Sequence, residues 1–474
     1  MYGYCMENSK PPFAQTPDIW VPRIERTAGP LYLAIADAIA AAVADGTLRP
    51  GQRLPTHRAL ADRLSVDLTT VTRAYSAARE RGLLDATVGR GTFVRAGRPS
   101  TDRGGVVDLG VNLPPRPEVP SWPDLLRAGL DKLLERAAPD DLFSYRSGAG
   151  TAEERVAGAA WLRPVLGDTD PERILLSPGA QPALMALFSV LAQPGDALLA
   201  DELTYPGARA AAAQLGLQLV GVAGDGEGML PDALEAACRR AKRARALYCI
   251  PTIQNPAATT MPPARRAALA EAARRCGLMI IEDDAHGLLP STPLPAIASL
   301  APDITFHVAT LSKTLSPALR IAYLAVPDRP WAGRVAAALR AGTMMASPLL
   351  AGLASLWIRD GSAQAAVAAI RRECAARQKI ARALLPAGSF AAHPEGLHLW
   401  LRLPAPWSRA EFVSRLRQQG MAIVQSDAFV VEGAVPPEAV RISLGAASDR
   451  GQLKAGLAAL SQQLTETGML PVVV

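Results

Sequence analysis

The stretch VATLSKTLSPALR, residues 308–320, joins the end of an apolar strand to a run of hydroxyl side chains, one lysine and one arginine. Lys313 follows Ser312 directly, Thr310 stands three positions before it and Arg320 seven after it. A lysine that forms a Schiff base needs a partly desolvated pocket, and the anionic arm of a cofactor needs hydroxyls, backbone amides and an arginine. The segment therefore predicts a covalent cofactor site at Lys313.

Lysine is rare in this chain, which makes the setting of Lys313 stand out. Of the 50 basic residues only six are lysines, namely Lys10, Lys132, Lys242, Lys313, Lys379 and Lys454. We attribute the shortage to a genome in which arginine codons dominate. Among the six, Lys313 alone passes directly from an apolar strand into a turn rich in serine and threonine.

Around this segment, from Val106 onward, short apolar runs alternate with helical patterns rich in alanine and leucine. Seven runs resemble buried strands: ERILLSPGA, DALLADE, LQLVGVAGD, ARALYCIPT, GLMIIEDD, ITFHVATLSK and RIAYLAV. This alternation predicts an α/β domain around a mainly parallel sheet. Ligands of such sheets bind beyond the carboxyl ends of the strands. The three consecutive acids that follow LMII, beginning at Glu282, are therefore further candidates for the site.

The first hundred residues carry a different pattern. Apolar residues recur at helical spacing in PLYLAIADAIAAAVADG, THRALADRL and TTVTRAYSAARERG, where Thr69 or Thr70 is placed to cap the third helix. Two short strands, LLDATV and TFVR, follow around the glycines that flank Arg90. Between Arg23 and Arg95, eleven arginines and seven acids give a net charge of +4. This arrangement predicts a winged helix-turn-helix that contacts DNA phosphates, although a solvated basic face has a similar composition.

Composition excludes several other classes of protein. The 474 residues are 49% hydrophobic and 20% charged, which is typical of a globular chain. The five cysteines form no CxxC pair, so we expect neither a metal site nor a disulfide scaffold. No run of 18 apolar residues occurs, and residues 1–10 do not resemble a signal peptide, so we expect a cytoplasmic protein with no membrane partner.

The first of these two regions resembles the GntR-type winged helix-turn-helix. PGQRLPTHRALADRL, TVTRAY, RGLL and GRGTFV follow the pattern of that family from residue 30 to residue 95. The resemblance implies contacts to operator DNA from Arg58, Thr69, Thr70, Arg73 and Arg90. The chain departs from the pattern just before the recognition helix, where Asp67 and Leu68 replace the usual Ser-Arg and change the expected contacts.

The rest of the chain, from about Val107 to the C-terminus, resembles the fold-type I, pyridoxal-phosphate-dependent aminotransferases. SKTLSPALR is similar to the lysine motif SKxxxPGLR, which implies that Lys313 forms the internal aldimine and that Arg320, with Thr310 and Ser312 nearby, binds the phosphate. IIEDDAHG is similar to the motif whose aspartate, here Asp283, pairs with the pyridine nitrogen.

Five further segments extend this resemblance. SPGAQPAL is similar to the loop that binds the cofactor's phosphate, and DELTYPG is similar to the segment that carries the stacking tyrosine. PTIQNPAATTM and YRSGAG are similar to two other segments that contact the cofactor. VRISLG is similar to the segment that carries the substrate-binding arginine. The implied roles are as follows: phosphate binding by backbone amides of Gly179, Ala180 and Gln181; ring stacking by Tyr205; a bond to the phenolic oxygen from Asn255; the neighbouring subunit's phosphate for Tyr145; and the substrate carboxylate for Arg441.

Two departures from this second pattern bear on catalysis. His286 stands three residues after Asp283, where many of these enzymes have a tyrosine, and its imidazole can donate the same hydrogen bond while titrating near neutral pH. Ala257 and Ala258 follow Asn255-Pro256, where Thr-Gly is usual. We expect cofactor binding to survive both changes, and turnover to be affected by them.

A GntR-type domain joined to an aminotransferase-like domain resembles the MocR family of bacterial regulators. We therefore expect a DNA-binding domain at residues 22–95, a linker at 96–106 and a pyridoxal-phosphate-binding domain at 107–474. The last should have a large subdomain at about 165–345 and a smaller α/β subdomain built from the flanking segments. The resemblance also implies a head-to-tail homodimer.

The resemblance leaves three functions open. The first, which we favour, is a transcriptional regulator that senses pyridoxal 5'-phosphate, a small amino compound or both through the internal aldimine on Lys313. The second is an active aminotransferase that carries a DNA-binding domain. The third is a DNA-binding protein whose aminotransferase-like region serves only for dimerisation, and the intact cofactor residues argue against it.

Overall fold

The computed structural model describes residues 20–22, 24, 30–44, 47–48, 51–81, 83–87, 91–94, 107–117, 121–136, 139–146 and 150–466. The chain divides into two compact units, here called the head (residues 1–104) and the body (residues 105–474). The predicted linker at 96–106 lies outside the described residues, and the domain boundaries given above stay predictions.

In the described part of the head, three helices precede a two-stranded antiparallel hairpin. These elements are α1 (Leu31–Ala44), α2 (His57–Leu64), α3 (Leu68–Glu80), β1 (Leu84–Thr87) and β2 (Gly91–Val94). Apolar residues of the stretches with helical spacing form the core, and Ile35, Ile39, Val71, Ala74 and Ala78 among them are fully buried. The predicted winged helix-turn-helix layout is confirmed.

The start of the third helix differs from the expectation. The residue that precedes α3 is Asp67, and its side chain makes no capping hydrogen bond. Thr69 and Thr70 lie inside the first turn, because the helix already begins at Leu68. A capping side chain must stand just before the first turn, so neither threonine can have that role. Arg90 lies outside the described residues.

The body is built around a seven-stranded sheet with the strand order β4-β12-β11-β10-β9-β5-β6. The seven runs recognised in the sequence are these strands: β4 (Ile174–Ser177), β5 (Ala197–Asp201), β6 (Gln218–Val222), β9 (Ala244–Cys249), β10 (Met279–Asp283), β11 (Thr305–Thr310) and β12 (Ala322–Ala325). Six of the seven strands run in the same direction, and β12 runs opposite to them. The predicted α/β fold with a mainly parallel sheet is confirmed.

The body has helices on both faces of this sheet and others that pack in the core of a smaller sheet described below. Their bounds are α4 (Trp122–Arg136), α5 (Pro139–Phe143), α6 (Ala152–Leu166), α7 (Ala180–Leu191), α8 (Pro206–Gln214), α9 (Pro231–Arg240), α10 (Pro263–Arg275), α11 (Ile297–Leu300), α12 (Leu311–Thr314), α13 (Arg329–Thr343), α14 (Pro348–Arg359), α15 (Ser362–Leu384), α16 (Arg409–Gln418) and α17 (Arg450–Thr465). Leu198 and Ala200 pack among residues of α7, α8 and α13, whereas Leu199 between them packs among residues of α9 and α10. This alternation places consecutive side chains on opposite faces.

A smaller antiparallel sheet, β13-β14-β17-β16, lies in the C-terminal part of the body. Its strands, together with two short strand pairs, are β13 (Phe390–Ala391), β14 (His398–Arg402), β16 (Val424–Gln425) and β17 (Ala439–Ser443), then β3 (Val107–Asp108) with β15 (Met421–Ala422), and β7 (Gly224–Asp225) with β8 (Gly228–Met229). The pairing of β3 with β15 brings the first strand of the body against its C-terminal part. None of the described helices has the length and apolar character needed to cross a membrane.

Candidate functional site

The predicted site residues meet at the carboxyl edge of the large sheet. Asp283 ends β10, Thr310 ends the neighbouring parallel strand β11, and Lys313 lies in α12 immediately after it. Thr310 starts α12 because its hydroxyl accepts a hydrogen bond from the backbone N–H of Ser312 at 3.2 Å. The sheet topology therefore brings together motifs that are about 30 residues apart in sequence.

Lys313 is enclosed and its amine is directed at the backbone. Its Nζ donates to the carbonyl oxygen of Asn112 at 2.6 Å. Burial and the positive charge of Arg441 lower the pKa of Lys313 to about 8. A buried amine with a lowered pKa is neutral in a larger fraction of molecules near neutral pH, which is the state that attacks a carbonyl carbon.

Asp283 has one oxygen paired and one oxygen free. Its Oδ2 accepts a hydrogen bond from the hydroxyl of Tyr248 at 2.7 Å, and its buried Oδ1 has no partner among the described residues. Burial raises the pKa of Asp283 to about 6, and the Tyr248 bond opposes that rise. Because a buried polar atom without a partner is costly, Oδ1 fits an N–H donor on a bound group.

Gly179 and Arg320 form a cradle at the start of α7. Gly179 has a φ of +108°, and a Cβ there would lie 2.7 Å from Nη2 of Arg320. The amides of Ala180 and Gln181 belong to the first turn of α7, whose N–H groups have no intrahelical acceptor. A helix start beside an arginine fits a phosphate group.

Tyr205 and Gln181 pack against each other through Gly207. The side-chain amide of Gln181 donates to the carbonyl oxygen of Gly207 at 2.7 Å. A Cβ on Gly207 would overlap both Gln181 Oε1 and Tyr205 Cε1, so a larger residue at position 207 would displace the tyrosine ring. Burial raises the pKa of Tyr205, which therefore stays protonated at neutral pH.

Asn255 and Arg441 are joined directly. Nη1 of Arg441 donates to Oδ1 of Asn255 at 2.8 Å, and Nη2 donates to the carbonyl oxygen of Gly110 at 2.5 Å. The guanidinium lies 5.0 Å from the centre of the Phe429 ring. Burial lowers the pKa of Arg441 to about 10, so the side chain is still a cation at neutral pH. Since Oδ1 of Asn255 is used as an acceptor, its side-chain N–H₂ group is left to donate.

His286 and Tyr145 differ in how the structure places them. His286 is 2% exposed, and its ring centre lies 5.8 Å from that of His398. Burial and His398 lower the pKa of His286 well below its ordinary value, so it stays neutral at neutral pH instead of titrating there as expected. Tyr145 is 83% exposed and lies at the surface of the body, so a single chain does not enclose it with the other site residues.

Three residues at the site had no signal in the sequence motifs. Tyr248 donates to Asp283, Asn112 accepts from Lys313 through its backbone, and Phe429 lies under the guanidinium of Arg441. Tyr248 could have been found from the position of β9 next to β10, because Tyr248 pairs with Ile281 and so shares the face of Asp283. Nothing in the sequence marks Asn112 or Phe429.

These residues fit pyridoxal 5'-phosphate. The amine of Lys313 suits the aldehyde, the free Oδ1 of Asp283 suits the protonated ring nitrogen, and the glycine cradle beside Arg320 suits the phosphate. No group of three or more metal-ligating side chains is present among the described residues. The amine, the carboxylate and the cradle together provide the contacts that an organic anionic cofactor requires.

In the head, four of the five predicted DNA-contacting residues lie on the described helices α2 and α3. Arg58 on α2 and Thr69 and Arg73 on α3 are exposed, and Thr70 is half-buried. The guanidinium of Arg73 lies 4.4 Å above the ring of Tyr32 on α1. A recognition helix uses exposed residues of this kind to contact base edges and phosphates.

Comparison with known proteins agrees with this division of the chain. Residues 31–94 match the family of bacterial regulatory proteins, gntR family, and residues 104–460 match aminotransferase class I and II. Over 461 residues the chain is 32% identical to the uncharacterized HTH-type transcriptional regulator YdeF of Bacillus subtilis. The aligned region covers 96% of this chain and 98% of YdeF.

Two more distant relatives have descriptive names. The vitamin B6 salvage pathway transcriptional repressor PtsJ of Salmonella typhimurium is 29% identical over 88% of this chain and 94% of PtsJ. The probable rhizopine catabolism regulatory protein MocR of Rhizobium meliloti is 28% identical over 75% of this chain and 77% of MocR.

A solved structure shares the fold of the body. It is LysN, the α-aminoadipate aminotransferase of Thermus thermophilus, complexed with N-(5'-phosphopyridoxyl)-L-leucine; the TM-score is 0.68 at 24% identity over 76% of this chain and 92% of LysN. The fold-type I body and its cofactor, pyridoxal 5'-phosphate, thus agree with the prediction. The chain belongs to the MocR-type family of transcriptional regulators, in which a GntR DNA-binding domain precedes an aminotransferase class I and II domain.

Proposed function

We propose that this protein is a transcriptional regulator whose affinity for operator DNA depends on pyridoxal 5'-phosphate, on a small amino compound, or on both. The observation that carries the proposal is the enclosed arrangement of the Lys313 amine, the free Oδ1 of Asp283 and the Gly179 cradle, in a chain that also has a DNA-binding head. The relative PtsJ is named as a vitamin B6 salvage pathway transcriptional repressor, which supports it.

Each described site residue has a proposed task in holding the cofactor. Lys313 provides the covalent attachment and Asp283 the partner of the ring nitrogen, while Asn255 donates to the phenolic oxygen and Tyr205 stacks on the ring. The remaining residues serve the phosphate and the surroundings: Arg320, Thr310, Ser312, Gly179, Ala180 and Gln181 for the phosphate, Tyr145 for the phosphate in the partner subunit, and His286 as a neutral neighbour. The bound group supplies an aldehyde that reacts with amines and a ring that withdraws electrons.

The effector is an amine with a carboxylate. Arg441 is a buried cation whose planar guanidinium can make two parallel hydrogen bonds to a carboxylate. The amine of such a compound competes with Lys313 for the cofactor. Binding therefore changes the charge and the covalent state of Lys313, and a regulator can use the difference only if its two states differ in DNA affinity.

In the head, Arg58, Arg73, Thr69, Thr70 and Arg90 are the proposed contacts to DNA. A head-to-tail homodimer would present two heads, and these would bind two half-sites of an operator.

The test is operator affinity measured with and without pyridoxal 5'-phosphate, with the full-length wild type and Lys313→Ala. We expect the cofactor to change the affinity of the wild type by at least about fivefold, which is the scale of a typical coupling free energy, and to leave the variant unchanged. Equal affinities of the wild type in both conditions would exclude dependence on the cofactor alone, and equal affinities of the cofactor-loaded protein with and without amino acids would exclude the rest of the proposal. Lys132→Ala, at a lysine with 52% of its side chain exposed, is the matched control.

A working aminotransferase is the second candidate. It is favoured by the presence of Lys313, Asp283 and Arg441 together in the enclosed site, since a regulator that senses only the cofactor has no need of the arginine. The test is repeated conversion of an amino donor and a keto acceptor, followed by product analysis. A single half-reaction per site, or no reaction, would favour the regulator.

A further inference from the structure

Three consecutive acids at the end of β10 are all buried. Glu282, Asp283 and Asp284 are 0%, 4% and 4% exposed, respectively. Buried carboxylates at neighbouring positions repel one another unless each has its own partner. The cofactor site described above uses only Asp283, so the other two acids need a separate explanation.

The strand separates these acids onto two faces of the sheet. Asp283 shares one face with Tyr248, which bonds to it. Glu282 points to the other face, where its two carboxylate oxygens accept from the backbone N–H groups of Ile297 and Ala298 at 2.8 and 2.9 Å. Two backbone donors thus satisfy Glu282, and it takes no part in the site.

Asp284 has a different kind of partner. Its Oδ2 lies 3.1 Å from Nε2 of His307, a fully buried residue of β11 that stands opposite Glu282 in the strand register. Gly287 closes the other side, since a Cβ there would overlap the same oxygen. The carboxylate of Asp284 is therefore held between the imidazole and the glycine backbone.

The surroundings of His307 favour its protonated form. Burial lowers the pKa of His307, but the bond to Asp284 and the charges of Glu282, Asp284 and Asp283 outweigh burial and raise it above its ordinary value. The described titratable groups with the largest effects on Asp283 are Tyr248 on β9, Asp284, His307 on β11 and Lys313 on α12, and Tyr205 and Cys249 also interact with its charge. Among these, the charge of Asp284 raises the pKa of Asp283 and the charge of His307 lowers it.

We propose that His307 is a positioning residue for the cofactor site: from the opposite face of the sheet it holds Asp284 in an ion pair, and so allows Asp283 to remain the anion that meets the cofactor's ring nitrogen. This inference rests on the proposed binding of pyridoxal 5'-phosphate by the body. It adds to that function a residue on the opposite face of the sheet to which none of the family motifs quoted above gives a role.

The physical reason is the balance of charge next to Asp283. With His307 charged, the pair is neutral as a whole and its effect on Asp283 is small. Without His307, the negative charge of Asp284 has no counter-ion and disfavours a second negative charge on Asp283. Without the charge of Asp284, this repulsion is absent. Removal of His307 should therefore raise the pKa of Asp283, whereas removal of the charge of Asp284 should not. A purely structural contact would not produce this difference between the two variants.

The experiment compares four full-length proteins: wild type, His307→Gln, Asp284→Asn and the double variant. Glutamine can still donate a hydrogen bond but carries no charge. Binding of pyridoxal 5'-phosphate is titrated by visible absorbance over a range of pH. The unfolding transition of each protein without cofactor is recorded as the control for folding.

We expect His307→Gln to shift the pH of half-maximal cofactor binding upward by about one unit. Because one unit corresponds to a tenfold change in the protonation equilibrium, the loss of affinity should approach about tenfold on the acidic side of the transition and shrink to about twofold near pH 7. Asp284→Asn should stay within about threefold of the wild type without an upward shift, and the double variant should return to within about threefold.

Equal losses in both single variants with an additive loss in the double variant would overturn the proposal. If His307→Gln does not fold, the double variant decides: a folded double variant that binds the cofactor like the wild type supports the ion pair, and one that binds with a large loss contradicts it. A wild type that binds no cofactor would instead contradict the proposed function, and this inference would fall with it.

Discussion

Arg441 donates from Nη1 to Oδ1 of Asn255 at 2.8 Å, so the residue proposed to bind the effector's carboxylate is in direct contact with a residue proposed to bind the cofactor. Both side chains are at least nine-tenths buried, with exposures of 7% and 8%. The orientation of each therefore depends on the other. This contact is a physical route by which cofactor and effector can influence each other's affinity.

Replacement of Asn255 should therefore weaken binding of both ligands. In Asn255→Ala, Arg441 loses one of its two hydrogen-bond acceptors and a buried N–H is left without a partner, at a cost of about 1–3 kcal/mol. We expect the affinity for amino acids, measured by absorbance titration of the cofactor-loaded protein, to fall about tenfold or more. Cofactor affinity should also fall. A loss confined to the cofactor would mean that the contact does not couple the two ligands.

Tyr248→Phe tests the partner of Asp283. Loss of the hydroxyl removes a bond that opposes the rise in the pKa of Asp283, so this pKa should move above its value of about 6. A carboxyl whose folded-state pKa exceeds its unfolded value contributes stability below the unfolded pKa that is lost as pH rises through the folded one.

Tyr248→Phe without cofactor should therefore be less stable than the wild type by about 1–3 kcal/mol at pH 7, and the deficit should shrink toward pH 4. Urea unfolding at the two pH values measures this. A deficit that is the same at both would show that the hydroxyl contributes only packing.

The rate of covalent cofactor attachment should follow the ionisation of Lys313. Only the neutral amine attacks an aldehyde, and burial together with the charge of Arg441 lowers the pKa of Lys313 to about 8. We expect the rate, measured by stopped-flow absorbance, to rise with pH and to level off above about 8. Lys313→Ala should show no attachment, while Lys132→Ala should keep the profile. A rate that still rises steeply toward the ordinary lysine pKa would contradict the effect of burial.

Gly179→Ala should damage the phosphate cradle. The new Cβ would lie 2.7 Å from Nη2 of Arg320, at a φ of +108° that side chains rarely adopt. We expect the affinity for pyridoxal 5'-phosphate to fall by about tenfold or more, since the strain and the displaced arginine act together. Gly333→Ala is the control, because a methyl group added at this position of helix α13 would have no other atom within 4 Å. Equal affinities in both variants would exclude a cradle at Gly179.

Arg73→Ala should weaken DNA binding by the head. Arg73 is exposed on the recognition helix, and its guanidinium lies 4.4 Å above the ring of Tyr32, which limits where it can point. If Arg73 contacts a phosphate, the affinity should fall by a similar factor for all DNA sequences, and the slope of log affinity against log salt concentration should decrease by about 1. If it contacts a base, one position of the site should lose its preference. Arg239→Ala, at an exposed arginine of the body, should leave binding to a DNA fragment unchanged.

The sequence alone was sufficient for the two folds, and it also supplied the residues that are proposed to carry the chemistry. The periodicity of strands and helices is a local property of the sequence, and so are the motifs that contain Lys313, Asp283 and Gly179. The same local information led to the wrong cap for α3, because Asp67 and Thr69 are only two residues apart and a local pattern does not show which of them precedes the first turn. It also led to the expectation that His286 titrates near neutral pH, because solvation is absent from a sequence pattern.

Only the tertiary structure decided which residues touch. Tyr248 meets Asp283 because β9 lies beside β10, and the backbone of Asn112 meets Lys313 across 201 positions of the chain. The pairing of His307 with Asp284 likewise depends on the strand register and on the face to which each side chain points. Residue types and their spacing thus determined what the chain can do chemically, whereas burial and contacts between distant segments, which set each pKa and each partner, exist only once the chain has folded.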